Sequence, residues 1–111
     1  MANTPIPSHP KVQHCTTMAE VRTHIDALDT QIVALLAERS GYVAQAARIK
    51  PSADLIFDHD RIEFIVARVR EMAMQQGAPE AVAEATYRAM IKAFIEYEHG
   101  EFARLKSGGA A

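Results

Sequence analysis

Residues 18–50 read MAEVRTHIDALDTQIVALLAERSGYVAQAARIK, without a proline and with one glycine, Gly41. At the angular step of a helix, Met18, Val21, Ile25, Leu28, Ile32, Leu35, Leu36, Val43 and Ala46 fall on one side. Such a helix would be roughly 50 Å long, well beyond an ordinary globular helix and too long for a small monomer to cover. Three cations interrupt or border the stripe. Arg39 projects between Leu36 and Val43, Lys50 lies one turn after Ala46, and Arg22 sits at the edge one turn from Met18 and Asp26. A guanidinium is costly to bury without an anion. Arg39 therefore needs either a carboxylate on another helix or an anionic ligand, and Lys50 either snorkels at a helix end or shares that ligand.

The flanking sequence organises around this helix. Residues 1–14 hold three of the five prolines and read as an extended or disordered arm. Thr16 or Thr17 suits an N-cap, with Glu20 at the capping-box distance from Thr17. Pro51 disfavours helix at Lys50, and 51–57 (PSADLIF) read as a loop whose Leu55, Ile56 and Phe57 are apolar enough to fold over something. A second helix is predicted from Asp58 or Asp60 to about Gln76, on the spacing of Ile62, Ile65, Val66, Val69, Met72 and Ala73. Gly77-Ala78-Pro79 stops it and starts a third, with Pro79 in a first-turn position, running from about Glu80 to Arg104 or Leu105. Residues 107–111 read as a frayed tail. No segment alternates with a period of two and no internal repeat occurs. The expectation is one all-α domain, 15–106, of three helices with a very long first helix. Because its apolar stripe needs a cover, an intertwined helical homodimer is expected.

The chain has 111 residues, 49% of them hydrophobic and 23% charged, with a net charge of -2. That balance offers no electrostatic footprint for nucleic acid or a membrane surface. A lone cysteine, Cys15, forms no internal disulfide and no metal-binding set. No apolar run approaches the roughly 20 residues of a membrane span, and residues 1–14 lack the apolar core of a signal peptide, so the cytoplasm is the expected location.

The third helix is apolar nearly all round. Val82, Ala85, Ala89 and Ala93 mark one face, while Tyr87, Ile91, Phe94 and Phe102 mark another that also contains Glu98. A carboxyl group there is either the partner of Arg39 or another buried cation, or a protonatable acid in a ligand pocket; the two readings are compatible. In an antiparallel dimer, Arg22 of one long helix would approach Arg39 of the other. That would gather Arg22, Arg39 and Lys50 around one cavity, with Arg61 joining from the second helix. Arginine holds carboxylates bidentately, so the expected partner molecule is a small dicarboxylate.

The stretch 15–106 resembles the all-helical chorismate mutases, most closely their isochorismate-pyruvate lyase branch. The resemblance rests on the long first helix with its I-D-x-L-D core, Ile25 to Asp29, and on the spacing of Arg22, Arg39, Lys50 and Arg61. It implies that Arg22 reaches into the partner's site and binds a carboxylate, that Arg39 binds the carboxylate of the enolpyruvyl side chain, and that Lys50 donates to the ether oxygen of the breaking C–O bond. Arg61 would help to hold the ligand, and Asp58 matches an acidic position whose neighbourhood contacts the substrate hydroxyl. Glu98 matches the second donor to the ether oxygen, a role a glutamate fills only when protonated. The implied reaction is chorismate to prephenate, which needs orientation and donors for the charge developing on oxygen, but no nucleophile, metal or redox cofactor. One position departs. Mutases of the family commonly carry glutamate after the second-helix arginine to bind the ring hydroxyl, and here Ile62 stands there, as in the lyase branch. The alternatives are therefore an isochorismate-pyruvate lyase making salicylate and pyruvate, and a non-catalytic helical dimerisation or ligand-sensing module. A metal site on Asp58-His59-Asp60 is the weakest alternative, because acids at a helix start are expected as caps.

Overall fold

The computed structural model describes residues 9–108. They form α1 (Met18–Ile49), a single 3-10 turn (Ala53–Leu55), α2 (His59–Gln76) and α3 (Glu80–Gly108), with no strand among the described residues. The three-helix, all-α reading therefore holds.

Each boundary has a local cause. Thr17 is the N-cap of α1: its hydroxyl oxygen accepts from the Glu20 N–H at 3.2 Å. The Glu20 carboxylate in turn accepts from the hydroxyls of Thr16 and Thr17, which ties the first turn together from both ends. At the other end Lys50 turns extended (φ -63, ψ 131) while its N–H still bonds Ala46 O, the conformation that Pro51 imposes on the residue before it. Of the apolar loop residues, Ile56 is buried, while Leu55 and Phe57 are exposed.

Asp58 caps α2 by accepting from the Arg61 N–H at 3.0 Å. Gly77 ends α2 at φ 75, a left-handed conformation that costs a side chain dearly, and the Ala78 N–H returns to Ala73 O at 2.8 Å. Pro79 stands just before α3 rather than inside its first turn, and its carbonyl accepts the first helical bond from Ala83 N. α3 also runs further than expected, through Ser107 to Gly108, because nothing before the paired glycines at 108 and 109 breaks it. The remainder of the expected tail, 109–111, and residues 1–8 of the expected arm lie outside the described residues.

The chain divides into two compact units, and α3 contributes to both. One unit holds Asp58–Lys92. Its buried apolar side chains are Val66, Val69 and Ala73 of α2 and Ile91 of α3. On its surface Arg88 of α3 donates through two nitrogens to the two carboxylate oxygens of Glu63 on α2, at 3.0 and 3.1 Å, and also pairs with Glu84. Arg70 of α2 lies 3.7 and 3.5 Å from Glu80 and Glu84. These hydrogen bonds hold the Glu63 carboxyl below its ordinary value and push Arg88 up.

The other unit holds α1, the loop to Phe57 and α3 from Ala93 onward. Ala47, Ile56 and Glu98 are buried in it. The predicted stripe of α1 divides along its length. Leu36, Val43 and Ala46 are half-buried, whereas Met18, Ile25, Leu28, Ile32 and Leu35 are 58%, 49%, 56%, 52% and 65% exposed. Val21 is half-buried, but among the described residues most of the stripe in the first half of the helix is left uncovered. α3 is also one-sided: Ile91 and Glu98 are buried and Tyr87, Phe94 and Phe102 half-buried, while Val82, Ala85, Ala89 and Ala93 face out. Among the described residues no helix is long and apolar enough to cross a membrane.

Candidate active site

Arg39, Lys50 and Glu98, three of the expected site residues, lie in the second unit, two of them in direct contact. Lys50 Nζ donates to Glu98 Oε2 at 2.8 Å, with the lysine side chain 28% and the glutamate side chain 9% exposed. Lys50 is the C-cap of α1 and Glu98 lies about two thirds of the way along α3, so the contact bridges 48 residues of sequence. At so buried an acceptor a charge-assisted bond is needed to offset the lost hydration. Burial without a partner is in fact avoided throughout: among the described residues no buried side-chain polar atom lacks one.

Arg39 reaches the same helix one turn earlier. Its guanidinium carbon lies 4.7 Å from the centroid of the Phe94 ring, and Tyr97 meets that ring edge-on, with centroids 6.2 Å apart and planes at 83°. Arg39 is half-buried, yet among the described residues no carboxylate pairs with it. The sequence leaves Glu98 to Arg39 or another buried cation, and in the structure that cation is Lys50.

The spacing of the two cations follows from helix geometry. Arg39 and Lys50 are eleven positions apart on α1, about 16 Å along its axis. Phe94 and Glu98 are four positions apart on α3, about 6 Å. Arg39 and Lys50 nonetheless meet adjacent turns of α3, at Phe94 and Glu98, so a guanidinium and an ammonium form a patch against neighbouring turns of one helix. Such a patch suits an anionic ligand with an acceptor atom near Lys50.

Arg22, Asp58 and Arg61 make none of these contacts. Arg22 is exposed on α1, seventeen positions and so about 25 Å before Arg39 along the same straight helix, beyond the reach of one side chain. Asp58 and Arg61 belong to the other unit. Both are exposed, the Asp58 carboxylate is engaged as the cap of α2, and the Arg61 guanidinium lies 5.3 Å over the ring of Phe64. Ile62 is half-buried in the same unit. The Asp58-His59-Asp60 triplet does not form a ligand set: among the described residues no group of three His, Cys, Asp or Glu side chains is arranged to hold a metal ion.

The structure adds one residue that the sequence reading used only as a core position, Phe94. Its ring is the surface on which Arg39 rests. No spacing rule points to it, because the two residues are 55 positions apart on different helices.

Comparison with known proteins agrees with the helical pattern. Residues 21–99 match the family model described as chorismate mutase type II. The chain is similar to a chorismate mutase of Methanocaldococcus jannaschii, 29% identical over 76 residues, which cover 68% of this chain and 77% of that protein. It is similar to the same degree, 29% over 83 residues, to an isochorismate pyruvate lyase of Pseudomonas aeruginosa, covering 75% of this chain and 82% of the relative.

Proposed function

Because this chain belongs to the type II chorismate mutase family, we propose that it is an enzyme rearranging chorismate to prephenate in a site built on Arg39, Lys50 and Glu98. The observation that carries the proposal is the 2.8 Å Lys50–Glu98 contact beside an arginine that pairs with no carboxylate among the described residues. In this reading Arg39 takes the carboxylate of the enolpyruvyl side chain, and the Lys50 ammonium is the donor to the ether oxygen. An ammonium has three hydrogens, so Lys50 keeps Glu98 as a partner while it turns another hydrogen to the substrate. As the C–O bond breaks and the new C–C bond forms, negative charge grows on that oxygen. Fixed donors in a half-buried site then stabilise the transition state more than the ground state. Glu98, when protonated, is the second donor. Holding the side chain over the ring supplies the remainder through orientation.

The active unit in this proposal is a homodimer with shared sites. It is supported by the uncovered apolar residues of α1 from Met18 to Leu35, too extensive a strip for water. It is supported equally by the 25 Å gap that separates Arg22 from its own chain's Arg39. In an antiparallel pairing of α1 with a second copy, the partner's Arg22 takes a second carboxylate of the substrate, and Arg61 and Asp58 approach from α2. No cofactor enters this reaction scheme.

A second reading has an observation of its own. Ile62 offers no hydrogen bond at a position where mutases hold the ring hydroxyl, and one of the two relatives above is an isochorismate pyruvate lyase. In that reading the same donors release pyruvate from isochorismate. The deciding experiment incubates the protein separately with chorismate and with isochorismate and follows prephenate and salicylate. Prephenate formation that is lost in Arg39→Ala supports the mutase. Salicylate alone assigns the lyase, and neither product leaves a non-catalytic helical module.

A further inference from the structure

We propose that Phe94 is a positioning residue for the substrate-binding Arg39, holding its guanidinium in place by cation–π contact; this rests on the reading of Arg39 given above. An arginine side chain has four rotatable bonds, and freezing them on binding costs entropy unless they are held beforehand. In most proteins that task falls to a carboxylate. Here none pairs with Arg39 among the described residues, and a carboxylate would in any case compete with an anionic ligand. The face of an aromatic ring carries no net charge. It attracts the cation through its quadrupole and leaves all five N–H donors free for the ligand. At 4.7 Å from the ring centroid, Arg39 lies within the distance at which this attraction operates.

The ring is itself fixed. Tyr97, one turn along α3, packs edge-on against it at 83°, the arrangement aromatic pairs favour. Glu98 occupies the next position and anchors Lys50. Three successive features of one helix therefore set both cations: Phe94 orients Arg39, Tyr97 buttresses Phe94, and Glu98 holds Lys50. Because the carboxylate contact of Arg39 is made in ground and transition states alike, weakening its orientation acts mainly on binding.

The test is steady-state kinetics on chorismate with Phe94→Leu, which removes the ring, and Phe94→Tyr, which keeps it. Each is made in the wild-type and the Arg39→Lys background, with unfolding midpoints measured alongside. Phe94→Leu is expected to raise KM by about three- to thirtyfold, the span that cation–π energies allow, with kcat changed by less than about threefold. Phe94→Tyr is expected to restore KM to within about twofold. A lysine cannot lie flat on a ring as guanidinium does, so in the Arg39→Lys background the additional effect of Phe94→Leu should fall below about twofold. An equal loss in both backgrounds overturns the proposal, because Phe94 then acts through packing or through the substrate directly. So does a Phe94→Leu protein with unaltered KM. If Arg39→Lys itself leaves chorismate turnover unchanged, it is the assignment of Arg39 as a carboxylate ligand that fails.

Discussion

At the scale of single residues, the site combines two charges that attract each other with a task that needs both aimed elsewhere. Lys50 and Glu98 are paired at 2.8 Å. Under the proposed mechanism the ether oxygen is an acceptor, so Glu98 contributes only in its protonated form, whereas a glutamine would donate at any pH. We therefore expect Glu98→Gln, which keeps a donor at this position, to remain active. The measurement is kcat for wild type and Glu98→Gln, with folding of both proteins checked. A folded Glu98→Gln protein without activity would leave Glu98 as only the ionic partner of Lys50. Ile62 offers a second test. If its lack of a hydrogen-bonding group biases the site against chorismate, Ile62→Glu should raise turnover of chorismate relative to isochorismate. An unaltered ratio in a folded variant would show that the position does not select the substrate.

At the scale of elements, the helices owe their limits to caps and their mutual contacts to a few side chains. α2 and the first part of α3 share an ion-pair cluster centred on Arg88, which binds Glu63 through two nitrogens. Those bonds hold the folded-state pKa of Glu63 below its unfolded value. The sign of the linkage follows. The contribution to stability is present above the unfolded value, near about 4.3, and is lost as pH falls through the lower folded value. Arg88→Met, which keeps the apolar stem, should be less stable than wild type at neutral pH, and the difference should shrink as the pH falls below the unfolded value of the Glu63 carboxyl. Both partners are exposed, at 43% and 46%, so the effect is small and weakens further in high salt. Urea midpoints at several pH values would reveal it, and a gap independent of pH would point instead to the packing of the arginine stem.

At the scale of the whole molecule, α1 is the element that one chain cannot complete. Met18, Ile25, Leu28, Ile32, Val33 and Leu35 are each about half exposed or more, and Arg22 stands about 25 Å from Arg39 along the helix. Sedimentation at micromolar protein should show a folded dimer, and a folded, active monomer would remove the reason for a shared site. Arg39→Ala should lower kcat/KM at least about a hundredfold, through loss of roughly 3 kcal/mol of charge-assisted contact. If Arg22 serves the partner's site, mixing Arg22→Ala with Arg39→Ala protein should recover activity, since in the heterodimer one site carries both lesions and the other carries neither. No recovery after confirmed subunit exchange would assign both arginines to one chain's site.

Whatever depends on neighbours within a turn or two was legible in the amino-acid order. The three helices, the cap at Thr17, the stop at Lys50 before Pro51 and the left-handed turn at Gly77 all follow from local sterics and local hydrogen bonds. So does the placement of Arg39 and Lys50 on an otherwise apolar line, since helical period alone fixes which residues share a face. The limits of α3 were less plain, because Lys106 and Ser107 neither favour nor forbid another turn. Only the tertiary structure decided which cation Glu98 would hold. Arg39 and Lys50 were equally eligible by type and period, and the choice rests on which turn of α3 each one meets, Phe94 for Arg39 and Glu98 for Lys50. The same is true of Phe94. A ring that orients a cation from another helix leaves no trace in spacing, because contacts across 55 residues are set by packing rather than by the local geometry of the chain.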